Sequence, residues 1–444
     1  MDTSAPSAVQ SVRPLRRDDY KTLGLAALGG TLEFYDFVIF VFFAATLGKL
    51  FFPASMPDWM VQLQTLGIFA AGYLARPLGG IIIAHFGDKL GRKRMFTLSI
   101  FLMSVPTLVI GLMPTYAAIG VAAPLLLLAM RVLQGAAIGG EMPGAWVFVA
   151  EHVPAQRYGF GVGTLTSGIT GGILLGSIVA IAVNRIFGPT DVVAFAWRIP
   201  FLIGGVFGLV SVYLRRFLGE TPVFKELAAK RALAREMPVK TVIREHRAAC
   251  LVTAALTWSL STAIVVVILM TPTLLQKAYG ITPQAALAAN CAATLTLTLG
   301  CILFGYLCDL IGSRATMAIA WGGLAITSYV FYVNLPGIGD AQLMANYALV
   351  GLFCGSIATM PIVGARVFPP AIRFSGLSFA YNVSYAVFGG FTPVMTQLWL
   401  QKDRLAAAHY VAAVSILAVV VAMLPLAARG WRAVSDKADA AVGS

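Results

Sequence analysis

A run of apolar stretches constrains this chain more than any other feature. Each is long enough to cross a bilayer as a helix, which takes about 20 residues. They lie near 22–47, 59–85, 95–113, 119–150, 159–183, 197–218, 248–272, 284–308, 314–333, 344–366, 374–400 and 406–429. Backbone in hydrocarbon has no water to bond and must satisfy itself inside helices or a closed barrel. Barrel strands would alternate polar and apolar residues over about ten positions, and no such segments occur. The expected fold is therefore an all-α membrane protein with twelve transmembrane helices. Composition agrees, with 59% of the 444 residues hydrophobic and 11% charged, against about 25% charged in a soluble domain. That excludes a disordered chain, a nucleic-acid enzyme with a polar exterior and a small disulfide scaffold. Cys250, Cys291, Cys301, Cys308 and Cys354 lie in or beside apolar runs and form no CxxC. They are expected to pack helices, not to bind metal.

Charge asymmetry sets the expected topology. With both termini inside, 24 of the 32 Lys and Arg fall on the cytoplasmic side, six fall outside, and Arg76 and Arg131 lie within spans. This is a positive-inside pattern. The net charge of +13 is then a feature of topology and of the lipid surface, with no nucleic acid implied. Residues 1–21 read as a cytoplasmic tail, 22–218 as a six-helix bundle and 219–247 as a polar linker of short amphipathic helices. Residues 248–429 read as a second six-helix bundle, and 430–444 as a cytoplasmic tail. The halves share a signature after their second spans: AHFGDKLGRKR at 84–94 and GYLCDLIGSRA at 305–315. Asp88, Gly91 and Lys93 align with Asp309, Gly312 and Arg314 at an offset of 221. A repeat of half the chain is the mark of a two-bundle transporter.

These motifs resemble the major facilitator superfamily, and within it the metabolite–proton symporters whose relatives carry citrate, oxoglutarate, shikimate, proline and betaine. The superfamily loop is met by Asp88, Lys89, Gly91, Arg92 and Lys93, with Ala84 replacing its opening glycine. The subfamily flavour lies in LEFYDF at 32–37, ARPLGGIIIAHFGDKLGRKR at 75–94, RVLQGAAIGGE at 131–141, ETPVF at 220–224 and FPPAIRFSGLSFAYNVSYAVFGGFTP at 368–393. The fifth span has glycines without the proline of antiporters, which disfavours a drug exporter. The resemblance implies two pseudo-symmetric six-helix bundles. It also implies that a first-helix carboxylate and a fourth-helix arginine, here Asp36 and Arg131, belong to the coupling machinery.

The residues themselves place the chemistry with the ionisable groups inside the membrane, where each is costly and needs a partner or a wet cavity. Glu33 and Asp36 are three apart and share a helix face. Two carboxylates so close suit a group that loads and releases protons, and Arg131 is their obvious counter-charge. A purely structural ion pair is the competing reading. Glu141 is either a proton-transfer group or a buried packing group. Gln134, on the face of Arg131, is placed to orient the guanidinium or touch substrate. Arg76 either snorkels or lines the cavity. Tyr35, Trp258, Tyr381, Asn382 and Tyr385 complete the expected substrate cavity, with an interhelical hydrogen bond as the alternative for Asn382 and simple packing as the alternative for Trp258. Asp88, Gly91, Arg92 and Lys93, with Asp309, Gly312 and Arg314, are expected to gate. In that role Asp88 caps a neighbouring helix terminus and pairs with Arg92 or with a charge across the bundle seam.

No histidine pair has metal-ligand spacing, no nucleophile has an adjacent base, and there is no phosphate-binding loop. The expectation is a cofactor-free transporter, not an enzyme. It would work as a monomer in a bacterial plasma membrane, moving a proton and a small polar metabolite by symport. An organic acid is expected. The alternatives are an uncoupled facilitator or exchanger, a symporter of a zwitterionic osmolyte or amino acid, and a non-transporting sensor.

Overall fold

The computed structural model describes residues 14–214, 217, 229 and 238–425. The helices are α1 (Arg17–Phe42), α2 (Asp58–Leu90), α3 (Arg92–Leu112), α4 (Ala122–His152), α5 (Tyr158–Ile186) and α6 (Arg198–Leu214). They continue with α7 (Arg247–Gln276), α8 (Pro283–Ile311), α9 (Ser313–Val333), α10 (Asp340–Val367), α11 (373–400) and α12 (Ala406–Met423). Among the described residues, ten are long and apolar enough to span a bilayer as they stand. An eleventh span is α6 with the helical piece Pro189–Ala196 before it, bent by 47°. The twelfth is α11, built from Arg373–Ser384, a π turn over Tyr385–Gly389 and Gly390–Leu400.

Each half packs its helices in the same order. In the first, α2 lies on α4, α4 on α3, α3 on α6, α6 on α1 and α1 on α5. In the second, α8 lies on α10, α10 on α9, α9 on α12, α12 on α7 and α7 on α11. Adding six to each helix number turns one list into the other. The bundles meet along two seams, α5 with α8 and α2 with α11, which the same operation exchanges. The two signature loops also match in backbone. Gly91 and Gly312 have φ of 115° and 83°, a region that favours glycine.

Small residues allow the closest approaches. A Cβ on Gly135 of α4 would sit 1.9 Å from the Gly72 carbonyl oxygen of α2. A Cβ on Gly163 of α5 would sit 2.6 Å from the Cys301 carbonyl oxygen of α8. With no water to expel between lipid-bathed helices, such backbone contact is a main source of packing energy.

The expected start at 22 falls inside α1. The helix begins at Arg17 because the Asp19 carboxylate turns back to accept from the Arg16 N–H at 2.7 Å. Of the expected linker, most lies outside the described residues. Its end forms a helix, Pro238–Glu245, that buries Val242 and packs against both α11 and α2. The tails 1–13 and 426–444 also lie outside the described residues.

Candidate functional site

The two bundles are joined most firmly at the end that carries the signature loops, which is also the basic end. There the Asp88 carboxylate accepts from the Ser375 N–H at the start of α11, at 2.9 Å. Its repeat mate Asp309 accepts from the Gly159 and Phe160 N–H groups at the start of α5, both at 2.7 Å. Each acid thus sits on the positive end of a helix in the opposite bundle. Arg373 of α11 pairs with Glu151 of α4 at 3.1 Å. Arg366 of α10 lies over the Tyr158 ring of α5 at 3.8 Å and donates to the Ala155 carbonyl. Residues 88 and 309 are therefore at the same end of the molecule, and that end is closed.

Arg314 departs from its expected role. Its guanidinium donates to the Met423 and Leu424 carbonyls at the end of α12, inside its own bundle. It caps a helix C-terminus instead of bridging the seam. Lys93 lies in the first turn of α3, and Gly91 and Gly312 make the turns before α3 and α9. The Arg92 side chain lies outside the described residues. Asp88→Asn should slow transport about two- to fivefold, since a full negative charge at a helix start is worth up to about 1 kcal/mol. Initial uptake rates in proteoliposomes, beside a thermal-shift measure of folding and solute binding, check this. Equal rates for variant and parent would take Asp88 out of the mechanism.

One step deeper, Arg76 of α2 reaches across the second seam. Its Nε donates to Asn382 Oδ1 at 3.4 Å, and its Nη2 donates to the Tyr381 hydroxyl at 3.2 Å and to Met142 Sδ at 3.7 Å. The guanidinium carbon lies 4.4 Å from the Tyr385 ring centre, 5.3 Å from Tyr381 and 5.6 Å from Tyr73. Among the described residues no carboxylate pairs with it. Asn382 Nδ2 donates to the Gly139 carbonyl of α4 at 2.6 Å. Tyr381, Asn382 and Tyr385, expected to line an open cavity, are fully buried in this bundle-to-bundle clasp. The reason is local. Gly80 leaves room for Asn382, and the first half of α11 packs on α2 and α4. Past the π turn, Gly390–Leu400 packs on α7 and α12 of its own bundle instead.

The acids of α1 lie inside the first bundle. Asp36 is 0% exposed, and neither oxygen has a hydrogen-bond partner among the described residues. Its Oδ1 would be 2.4 Å from a Cβ on Gly204 of α6. Thr107 of α3 stands beside it but gives its proton to the Met103 carbonyl. Glu33 accepts from the Ser211 hydroxyl of α6 at 2.6 Å. The expected pair of Arg131 with these acids is not formed in this conformation. Arg131 instead lies over the rings of Phe40, Phe37 and Phe69, at 4.3, 4.7 and 5.4 Å, and donates to Gln134 Oε1 at 2.8 Å. Gln134 Nε2 in turn donates to Thr107 Oγ1 at 2.7 Å. A relay of two side chains, Gln134 and Thr107, therefore occupies the gap between Arg131 and Asp36. The orienting role expected of Gln134 has this geometry.

Tyr35, expected in the cavity, points the other way. Its hydroxyl donates to the Pro200 carbonyl of α6 at 2.9 Å, and its ring meets Phe207 edge-on, which fixes it in the wall between α1 and α6. Trp258 stacks on Phe388 and donates to the Tyr410 hydroxyl at 2.8 Å. It lines a cavity of about 720 Å³ made by α7, α11 and α12, wholly within the second bundle. Glu141 is buried on α4. The sequence reading missed Glu151, Tyr158, Arg366 and Arg373. A signal was available: EHVPAQRYGFG at 151–161 and RVFPPAIRFSG at 366–376 both follow a span and share proline and glycine spacing.

The comparisons agree with this architecture. The description of the Major Facilitator Superfamily matches residues 37–371. A putative proline/betaine transporter of Staphylococcus aureus is 34% identical over 420 residues, covering 92% of this chain and 89% of the relative. The proline/betaine transporter of Salmonella typhimurium is 31% identical over 416 residues, covering 90% and 82%. Among solved structures, the proton:xylose symporter XylE of E. coli superposes with a TM-score of 0.75 at 17% identity, over 91% of this chain and 94% of that one. The human organic anion transporter MFSD10 gives 0.69 at 12% identity, over 92% and 100%. These two likenesses are of fold alone. Two matched bundles, a family match over most of the length and relatives that are transporters together make this integral membrane protein a transporter and not an enzyme, and the chain belongs to the Major Facilitator Superfamily.

Proposed function

We propose that the protein imports a small zwitterion bearing a carboxylate, driven by protons, by rocking its two bundles about a central site. The observation that carries the coupling is Asp36, fully buried with no hydrogen-bond donor or cation paired to its oxygens among the described residues, the adjacent Thr107 giving its proton elsewhere. An ionised carboxylate is far more costly there than a neutral one. In this reading a proton joins Asp36 before the present conformation closes around it. It leaves when the bundle rearranges and Arg131 drops its aromatic shelf to face the acid. The basic end faces the cytoplasm of a bacterial plasma membrane, by the positive-inside pattern. The conformation is then outward-facing, with Asp88, Asp309 and the Glu151–Arg373 pair holding the cytoplasmic side shut.

A zwitterion replaces the organic acid of the sequence reading for two reasons. Relatives that align over most of this chain are named proline/betaine transporters. The second reason is formal charge. Glu33, Asp36 and Glu141 against Arg76 and Arg131 sum to −1 when all are ionised and to zero once Asp36 is protonated. A net-neutral solute leaves that balance intact, whereas a dicarboxylate adds two buried negative charges. The test is uptake of labelled glycine betaine, proline and a dicarboxylate into proteoliposomes with an inward proton gradient. Both zwitterions should accumulate and a protonophore should stop them. Uptake that ignores the gradient would mean a facilitator. Accumulation of the dicarboxylate alone would overturn the substrate class.

A further inference from the structure

Arg76 is held in an unusual way. It is 2% exposed at the seam between two bundles and has no carboxylate partner among the described residues. Its hydrogen bonds are long, at 3.2 Å or more. What surrounds its charge is three tyrosine rings, all with centres within 5.6 Å. Rings at that range attract a cation through their quadrupole, and cages of this kind recognise quaternary ammonium groups. The cage is shared: Tyr73 comes from α2, and Tyr381 and Tyr385 come from α11. It therefore exists only while these helices are together. Tyr73 and Tyr385 stack 5.7 Å apart and 6° from parallel, which fixes its wall.

We propose that Tyr73, Tyr381 and Tyr385 form a binding site for the onium group of a zwitterionic solute, and that Arg76 occupies this site as a tethered substitute when no solute is bound. The proposal rests on the zwitterion reading above and says where the positive end goes. A quaternary ammonium group offers the rings the same charge and asks for no hydrogen bonds. When it enters, the guanidinium withdraws. The solute's carboxylate, one carbon from its nitrogen in a betaine, then stands beside the released Arg76 and the Tyr381 hydroxyl. One exchange satisfies both ends of the solute. A solute with a carboxylate but no cation would give the rings nothing in return for displacing Arg76, so the cage selects against it. A cation without a carboxylate would evict Arg76 and leave it unpaired, so it too is rejected. Recognition here works by the cost of the wrong ligand as well as by the fit of the right one.

The experiment compares three probes on the purified full chain by calorimetry. They are glycine betaine, 3,3-dimethylbutanoate, which has its shape and carboxylate but no cation, and tetramethylammonium, which is the cation alone. In the parent, betaine should bind on the order of tenfold tighter than the uncharged-headgroup isostere. Tyr385→Leu should bring that ratio near one, and Tyr385→Phe, which keeps the ring, should preserve it. Arg76→Gln empties the cage, so tetramethylammonium should gain on the order of tenfold in affinity while betaine gains nothing. A parent ratio near one, or an unchanged ratio in Tyr385→Leu, overturns the cage even if betaine is transported. Should betaine and proline fail as substrates, the functional reading falls. The tetramethylammonium gain in Arg76→Gln then decides the cage by itself, and its absence overturns it. The parent ratio needs no variant to fold.

Discussion

Asp36→Asn is expected to abolish gradient-driven accumulation, bringing the internal-to-external solute ratio from many-fold to about one. Asparagine matches the shape of the protonated acid and fits the same closed space against Gly204 and Thr107. It cannot release a proton, so the cycle loses its driving step. Solute-for-solute exchange requires no net proton movement and should persist. Folding should be kept, since the replaced group has no ion pair to lose among the described residues. Reconstituted protein assayed for accumulation, for exchange and for solute-coupled proton uptake separates these effects. Parental accumulation by Asp36→Asn would move the assignment to Glu33 or Glu141, which Glu33→Gln would then probe. Loss of exchange along with accumulation would point to a misfolded or locked variant.

The second large effect concerns assembly. Gly135→Ile should destroy the folded protein. Its first side-chain carbon would fall 1.9 Å from a backbone oxygen and 2.6 Å from a carbonyl carbon of Gly72, and backbone cannot swing aside as a side chain can. Overpacking costs about 1–3 kcal/mol where neighbours can adjust, and more is expected where α2 and α4 must part. The separation would also pull Arg76 and Gly139 from the α11 clasp. Gly67→Ala on α2 is the control. Among the described residues nothing lies within 4 Å of its added carbon, and a helical alanine is favoured over glycine by about 1 kcal/mol. Monodisperse yield in detergent and the melting temperature should fall steeply for the first and hold or rise for the second. A well-folded Gly135→Ile would show that the α2–α4 contact is softer than drawn here.

Much of the fold was legible because a bilayer leaves few choices. Span length, charge bias and the 221-residue offset each depend on sequence alone, and the bundles follow from them. Local devices were legible too, such as glycines that turn the signature loops and acids suited to cap a helix. Rotation about the helix axis was not. A helix in a membrane is apolar on nearly every face, so no amphipathic stripe tells which side meets the partner. That is why Tyr35 was assigned to a cavity and is found against α6, and why Asn382 was left between a cavity and an interhelical hydrogen bond, of which the structure shows the second. Contacts between bundles are harder still. Glu151 with Arg373 joins residues 222 apart, and Arg76 with Tyr381 joins residues 305 apart. The Asp36–Arg131 expectation was chemically reasonable, but a sequence does not say which conformation is in view.

The two seams have very different surfaces, and a mechanical division of labour follows. Along α5 and α8 the basic-end halves touch through bare backbone at Gly159, Gly163 and Gly305. Toward the other end they separate around a gap of about 380 Å³ lined by Ser177, Asn184, Gln284 and Asn290. Once Asp309 lets go of the start of α5, two such cylinders can roll over each other with few interlocked side chains to lift past one another. Along α2 and α11 the surface is toothed, with Arg76 and Asn382 reaching over and Phe374 seated against Gly87 and Gly144. In the rocking motion proposed above, one side would act as a bearing and the other as a latch. Motion would begin where the teeth disengage and pivot about the smooth line, so the door swings from one edge and does not part down the middle.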